Sequence, residues 1–336
     1  MKTLAVLLPT YNAALYIEES IDSILNQTFV DFDLFVYDDC STDHTAGLVR
    51  NYTDDRVNYV KNDNNLGIAK TLNRGLDDLL PHYRFIARMD ADDWAYPERF
   101  EKQLDCLERC EDVVLCGTQG YWLKDLEQEP ISGWTYPLSA KYIKYNLLFG
   151  ATFGHSSVII RSAFLIHSGL RYDDTIKTCE DWDLWIRVIK HGKAVNLPEF
   201  LMKYRILDSS NHRSSENREN HLNERSKILA KYWLDFEIRM GAMEVYNFYY
   251  GDLSLGRKEF VEQSKKIIQA FNEIYNIAKV ELEPEDQEMF RYKLARRIRD
   301  YWKRSRVSRF NILIWWHVVK SVTFMNSFKL VKSIIR

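Results

Sequence analysis

This sequence predicts a doubly wound α/β domain, with a mainly parallel sheet flanked by helices, followed by a helical C-terminal region. Three observations carry that expectation. Residues 3–9, TLAVLLP, are a continuous apolar run ended by Pro9, the pattern of a strand buried on both faces of a parallel sheet. Strand-like and helix-like periodicities then alternate as far as residue 90, and from about residue 217 helical patterns take over. The expected division is a domain over residues 1–215 and a helical region over 216–336.

After the first strand, YIEESIDSILNQ (16–27) repeats Ile17, Ile21, Ile24 and Leu25 at helical spacing, and DLFVYDD (33–39) returns to a strand, completing a βαβ unit. STDHTAGLVRNY (41–52) opens with Ser, Thr and Asp, all good N-terminal caps, and reads as a second helix. VNYVKN (57–62) is a short strand, GIAKTLNRGLDDLL (67–80) a helix and YRFIARMD (83–90) the next strand. Farther on, SVIIR (157–161) and FLMKYR (200–205) are strand-like. EDWDLWIRVIKHG (180–192) is an amphipathic helix, with Trp182, Trp185, Ile186 and Ile189 behind an acidic first turn. The polar stretch LDSSNHRSSENREN (207–220) reads as a loop or lid.

Ligands of doubly wound sheets bind beyond the carboxyl ends of the strands. Three predicted strand ends are polar, Pro9-Thr10-Tyr11-Asn12, Asp38-Asp39 and Asp90-Ala91-Asp92-Asp93, and they should meet at one crevice. The turn after the first strand is PTYNAA, with no GxGxxG, and no GxxxxGK[ST] occurs, so a glycine-cradled phosphate site is excluded. Nucleotide binding here must rely on side chains and a metal. Three carboxylates in four positions repel unless they are solvated, protonated or neutralised by a cation. Mg²⁺ or Mn²⁺ takes hard oxygen ligands and keeps places for water and phosphate, which makes the cluster a candidate metal site; the competing reading is a solvated turn capping the helix after Pro97-Glu98. In the same way Glu180, Asp181 and Asp183 either belong to a site or only cap their helix. Arg99 is read as a site residue or a salt-bridge partner of the acidic turn.

Pro9-Thr10-Tyr11-Asn12, SILNQTF (23–29), VYDDCSTDHT (36–45), NNLGIAKTLNRGL (64–76), RMDADDW (88–94), GHSSVIIR (154–161) and CEDWDLWIRV (179–188), in that order, resemble the inverting family 2 glycosyltransferases of bacterial surface-polysaccharide synthesis, over roughly residues 1–210. The resemblance implies a GT-A fold, a Rossmann-like mixed sheet. It implies transfer of a sugar from a nucleotide-sugar donor, first of all a UDP-sugar, to a hydroxyl of a glycan or lipid-linked glycan acceptor in capsule, O-antigen or lipopolysaccharide synthesis. Residue by residue, Tyr11, beside Thr10, would lie against the nucleobase and Asp39 would accept from the base N–H. Asp90 and Asp92 resemble the DxD pair that contacts ribose and a Mn²⁺ or Mg²⁺ ion, with Asp93 the alternative ligand, and Asp181 matches the general base. His155, Glu180 and Trp182 fall on the acceptor side, although an isolated His is also read as a satisfied structural residue. Apart from the resemblance, Trp94 is read as shaping the donor-sugar pocket or as core, and Tyr204-Arg205 as approaching the diphosphate through the polar segment 207–220. Many members carry ARN where this chain has Thr71-Leu72-Asn73, so the Arg expected near the diphosphate is missing and Lys70 or Arg88 substitutes. The alternatives are a sugar nucleotidyltransferase, which would need a basic, glycine-containing loop after the first strand, and a catalytically inactive nucleotide-sugar-binding subunit.

Apolar residues at 46% allow a full core, and charged residues at 28% are ordinary for a soluble chain. The net charge of −2 hides an asymmetry: residues 291–336 hold 13 Lys or Arg against Asp300 alone, about +12, leaving about −14 for the remainder. FNILIWWHVVKSVTFMNSFKLVKSIIR (310–336) mixes Trp, Phe and Ile with Lys, which suits a helix lying in an anionic membrane surface; a helix packed on the catalytic domain is the other reading. No nucleic-acid-binding motif accompanies the charge, and no nucleic-acid partner is expected. Five cysteines without a CxxC pair, an N-terminal apolar run too short for a signal peptide, and no spanning apolar stretch point to the cytoplasm or the cytoplasmic face of the inner membrane.

Overall fold

Alternating strands and helices build the first part of the chain in the predicted order: β1 (Lys2–Thr10), α1 (Ile17–Leu25), β2 (Phe32–Asp38), α2 (Thr45–Arg50), β3 (Val57–Lys61), α3 (Ile68–Leu79) and β4 (Tyr83–Arg88). There follow β5 (Trp94–Ala95), α4 (Arg99–Arg109), β6 (Val113–Lys124), β7 (Ser132–Trp134), α5 (Ala140–Asn146), β8 (Ile159–Arg161), α6 (Ser162–Ser168), α7 (Glu180–Ile189) and β9 (Lys193–Ile206). This computed structural model describes residues 2–125, 127, 129–207, 215–250 and 257–304. Most of the expected lid and the segment 305–336 lie outside the described residues.

The strand order is β3-β2-β1-β4-β8-β6-β9-β5, with β7 paired to β6. β1 runs parallel to β2 and β4, β2 to β3, and β6 to β9. β8 is antiparallel to β4 and β6, β5 to β9 and β7 to β6, so the sheet is mixed. The chain leaves β1 in one direction toward β2 and β3 and later returns on its other side as β4. That reversal opens a crevice at the carboxyl ends of β1 and β4. Leu4, Val6 and Leu8 of β1, the α1 residues Ile17, Ile21 and Ile24, and Phe85 and Ala87 of β4 are all fully buried in one core cluster. Each of the Leu, Val, Ile and Phe side chains contributes about 1.5–3 kcal/mol, and the cluster makes the strand ends a rigid base for the crevice.

β6 is not marked by the sequence pattern, because glycines interrupt it. They are required by packing: a Cβ at Gly117 would lie 2.3 Å from Asn196 Oδ1, and one at Gly120 2.4 Å from the Trp134 ring. The chain divides into two compact units, Met1–Asn217 and Arg218–Arg336. In the second, α8 (Ser215–Leu234), α9 (Ala242–Tyr249), α10 (Arg257–Glu281) and α11 (Pro284–Arg304) supply an aromatic core in which Phe248 lies 5.3 Å from both Phe271 and Tyr301. Among the described residues no helix is long and apolar enough to cross a membrane.

Candidate functional site

Asp39, just beyond β2, joins three elements. Its N–H donates to the Thr10 carbonyl at 2.8 Å, which ties the ends of β1 and β2. Its Oδ1 accepts from Asn62 Nδ2 at 2.7 Å and Leu66 N–H at 2.8 Å, and its Oδ2 accepts from Gly67 N–H at 2.8 Å. Gly67 has φ +84°, a conformation glycine adopts without a Cβ penalty, and it leads directly into α3. One lone pair of Asp39 Oδ2 remains for a ligand. The neighbouring Asp38 is fully buried and accepts from Ser41 N–H and the Tyr59 hydroxyl, so it shapes the turn. Thr10 is buried beneath the crevice and Tyr11 stands 51% exposed at its rim. Lys70 is exposed on α3, 3.9 Å from Asp174.

The acidic turn is braced from three sides. Buried Arg88 pairs through Nη2 with Asp90 and donates from Nη1 to Ser156 Oγ at 2.7 Å. Ser156 Oγ also accepts from Asp90 N–H at 3.1 Å and contacts carboxylate oxygens of Asp90 and Asp93; its single hydrogen serves one of them at a time. Buried Arg205 donates its backbone N–H to Asp93 Oδ1 and its Nε to the Asp92 carbonyl, each at 2.8 Å. Its two remaining nitrogens reach the Asp125 carbonyl and Glu19 Oε2, and its guanidinium lies 5.1 Å from the Tyr16 ring. Arg99 is fully buried and donates to the Arg88 carbonyl and to Gln103, which makes it a support beneath the turn and not its salt-bridge partner.

One oxygen from each of Asp90, Asp92 and Asp93 lies within 4.8 Å of the others. Asp93 has both oxygens engaged and Asp90 is held by Arg88 and Ser156, whereas the Asp92 carboxylate accepts from no other described residue. Burial, reinforced by the charge of Asp90, raises Asp92 to about 7, and burial with the charges of Asp92 and Asp90 raises Asp93 well above the carboxylate range. Burial and the mutual repulsion of the carboxylates thus favour protons on Asp92 and Asp93, and a cation could take the place of those protons. An all-oxygen donor set of this kind fits a hard divalent cation.

Within reach of the Asp90 and Arg88 charges, α7 presents Glu180 and Asp181 in its first turn. Asp181 Oδ1 accepts from Trp182 N–H at 2.7 Å, while Asp183 pairs with Arg187 at 2.6 Å and has a helix role only. Burial and then the charge of Asp181 raise Glu180 to about 7, and Trp182 is buried. His155 Nε2 lies 2.8 Å from the Tyr172 hydroxyl, and burial together with the Arg88 charge pushes His155 well below its ordinary value. The structure thus gathers Arg88, Asp90, Asp92, Asp93, His155, Glu180 and Asp181 around one electrostatic site. Ser156 and Tyr172 join the site without a signal of their own in the sequence, although Ser156 lies inside the GHSSVIIR motif.

A pH dependence follows from the raised carboxylates. Unfolded carboxyls ionise near pH ~4, but folded Asp92 and Glu180 hold their protons to about 7. Their contribution to stability is complete below pH ~4 and is lost as pH rises to about 7. A cation competes with the Asp92 proton. The rise in Tm on adding Mn²⁺ should therefore be small at pH ~5 and large at pH ~8, as a thermal-denaturation series with and without EDTA will read. An Mn²⁺ effect independent of pH would contradict the assignment of Asp92.

A sequence profile described as glycosyl transferase family 2 matches residues 5–166. An uncharacterized glycosyltransferase of Methanocaldococcus jannaschii is 31% identical over 68% of this chain and 77% of its own length. One of Haemophilus influenzae is 32% identical over 60% of this chain, which spans 65% of that relative. The amylovoran biosynthesis glycosyltransferase AmsE of Erwinia amylovora is 32% identical over 56% of this chain and 70% of its own length. In fold, the chain is similar to TarS 1–349 of S. aureus in complex with UDP-GlcNAc, with a TM-score of 0.56 and 18% identity over 91% of this chain and 90% of that one. It is similar also to the mannosyltransferase PcManGT of Pyrobaculum calidifontis in complex with GDP-Man and Mn²⁺, with a TM-score of 0.52 and 16% identity over 96% and 87% of the two chains.

Proposed function

The chain belongs to glycosyltransferase family 2 and has its GT-A fold, and from that premise we propose a metal-dependent, inverting enzyme that transfers a sugar from a nucleotide-sugar to a hydroxyl of a glycan or lipid-linked glycan in surface-polysaccharide synthesis. The observation that carries this reading is the braced acidic turn, in which Asp92 accepts from no other described residue and whose Asp90 and Arg88 charges are felt at Glu180 of α7. The name of AmsE supports the polysaccharide, and the UDP-GlcNAc and GDP-Man complexes of the fold neighbours support the donor class.

In this reading Tyr11 offers an exposed ring to the base, and the free lone pair of Asp39 accepts from it. Asp90 contacts ribose. Asp92 would hold Mn²⁺ or Mg²⁺, anchored in place by Asp93; such an ion, when bound, neutralises charge on the departing diphosphate. Arg88 is committed to Asp90 and Ser156 and acts through the turn, whereas exposed Lys70 is free to swing from Asp174 toward phosphate. Asp181 takes the proton of the attacking hydroxyl as that oxygen bonds to the anomeric carbon, and the bond to the diphosphate breaks on the opposite face. One displacement inverts the anomeric configuration. UDP-sugars are the first donors to test. Residues 291–336, at about +12, support peripheral contact with the cytoplasmic membrane face.

The test is nucleotide release from a panel of UDP- and GDP-sugars with Mn²⁺, Mg²⁺ or EDTA. Slow hydrolysis of one donor, present with either metal and absent in EDTA, is the expected result. Release indifferent to metal, or a transfer product of retained configuration, would overturn the mechanism.

A further inference from the structure

We infer that Tyr172 is a positioning residue that fixes His155 as its Nδ1–H tautomer, so that a neutral imidazole presents that N–H to an oxygen of the acceptor; this rests on the transfer reading above. Tyr172 is held by its backbone. Its N–H donates to Asn73 Oδ1 and its carbonyl accepts from Asn73 Nδ2, each at 2.9 Å, so α3 grips the segment after α6 as a neighbouring strand would. Arg171, one residue earlier, pairs with Asp77 of the same helix at 2.8 Å. Gly169, at φ +66°, lets the chain leave α6 in the left-handed turn that brings Tyr172 inward.

The Tyr172 side chain is 5% exposed, and its hydroxyl is 2.8 Å from His155 Nε2. Two arrangements are open to this pair. If Nε2–H donates, the phenol hydrogen is left buried with no acceptor among the described residues, an expensive state. If the phenol donates, Nε2 is the acceptor and the ring proton sits on Nδ1, where no described residue accepts it. The first arrangement thus leaves two groups unpaired, the phenol hydrogen and a bare Nδ1, whereas the second leaves only the Nδ1–H, a donor for substrate. Burial, with the charges of Asp181 and Glu180, keeps the phenol protonated, and burial with the Arg88 charge keeps the ring neutral. His155 then has no unoccupied basic nitrogen. Proton abstraction is left to Asp181, and His155 orients the acceptor.

The test uses the full-length protein with isotope-labelled histidine, long-range proton–nitrogen NMR, and His155→Ala to assign the His155 signals. Wild type should show a protonated Nδ1 and an unprotonated Nε2, and Tyr172→Phe, which keeps the backbone clamp, should move the proton wholly or partly to Nε2. An Nε2–H ring in wild type, or an unchanged tautomer in the variant, would overturn the inference. In kinetics, Tyr172→Phe should lower transfer about 10-fold with the donor KM unchanged, and should add nothing in the His155→Ala background. Losses that add would make Tyr172 a structural residue only. If wild type transferred no sugar from any donor, the transfer reading would fail while the spectra still decided the tautomer.

Discussion

Replacing Asp181 by Asn is expected to lower the turnover of glycosyl transfer by roughly 10²- to 10⁴-fold while leaving donor binding unchanged. The amide has the shape of the carboxylate and its Oδ1 can still accept from Trp182 N–H, the contact that holds Asp181 at the start of α7. What it loses is the ability to take a proton from the attacking hydroxyl. Glu180, raised to about 7 by burial and the Asp181 charge in wild type, is the neighbouring carboxylate that would account for any residual turnover. Steady-state transfer to an acceptor, with donor affinity measured separately by calorimetry, separates these effects. An Asn variant with full turnover would reduce Asp181 to a helix cap. Turnover absent from wild type, with donor binding intact in both proteins, would favour a nucleotide-sugar-binding subunit.

The strand-end half of this site, the proposed donor side, is legible in the sequence because its residues are local. Asp39 and the Asp90–Asp93 turn close predicted strands, and a sheet that winds both ways from β1 must bring those ends together. What supports them is not local. Ser156 reaches the turn across 66 residues and Arg205 across 112, so their hydrogen bonds leave no periodic trace. Arg88 shows the limit from the other direction: a cation beside a DxD pair suggests a phosphate contact, yet burial and the Asp90 carboxylate turn it into a brace. β6 escaped for a reason of packing, because its glycines, which usually weaken a strand, are here the only residues that Asn196 and Trp134 leave room for.

Opposite effects on function and stability are expected at the adjacent positions Asp92 and Asp93. Asp92→Ala should cut metal-dependent nucleotide release by about 100-fold or more, the loss expected when stabilisation worth several kcal/mol is removed from the leaving group. The same change should leave Tm in EDTA unchanged or raised. Asp92 accepts from no other described residue, and its raised position near 7 means that its charge opposes folding at neutral pH. Asp93→Ala removes the acceptor of Arg205 N–H and a partner of Ser156, both buried. Leaving such donors unsatisfied costs about 1–3 kcal/mol, which for a unit of this size lowers Tm by roughly 4–10 °C. Its activity should fall too, but because the turn that carries Asp92 loosens, so the remaining enzyme will need more Mn²⁺ and not a different ion. Thermal denaturation in EDTA, followed by Mn²⁺ titration of nucleotide release, reads both. If Asp93→Ala were the variant that kept its stability and lost all response to metal, the two carboxylates would exchange roles, with Asp93 the ligand and Asp92 the bystander.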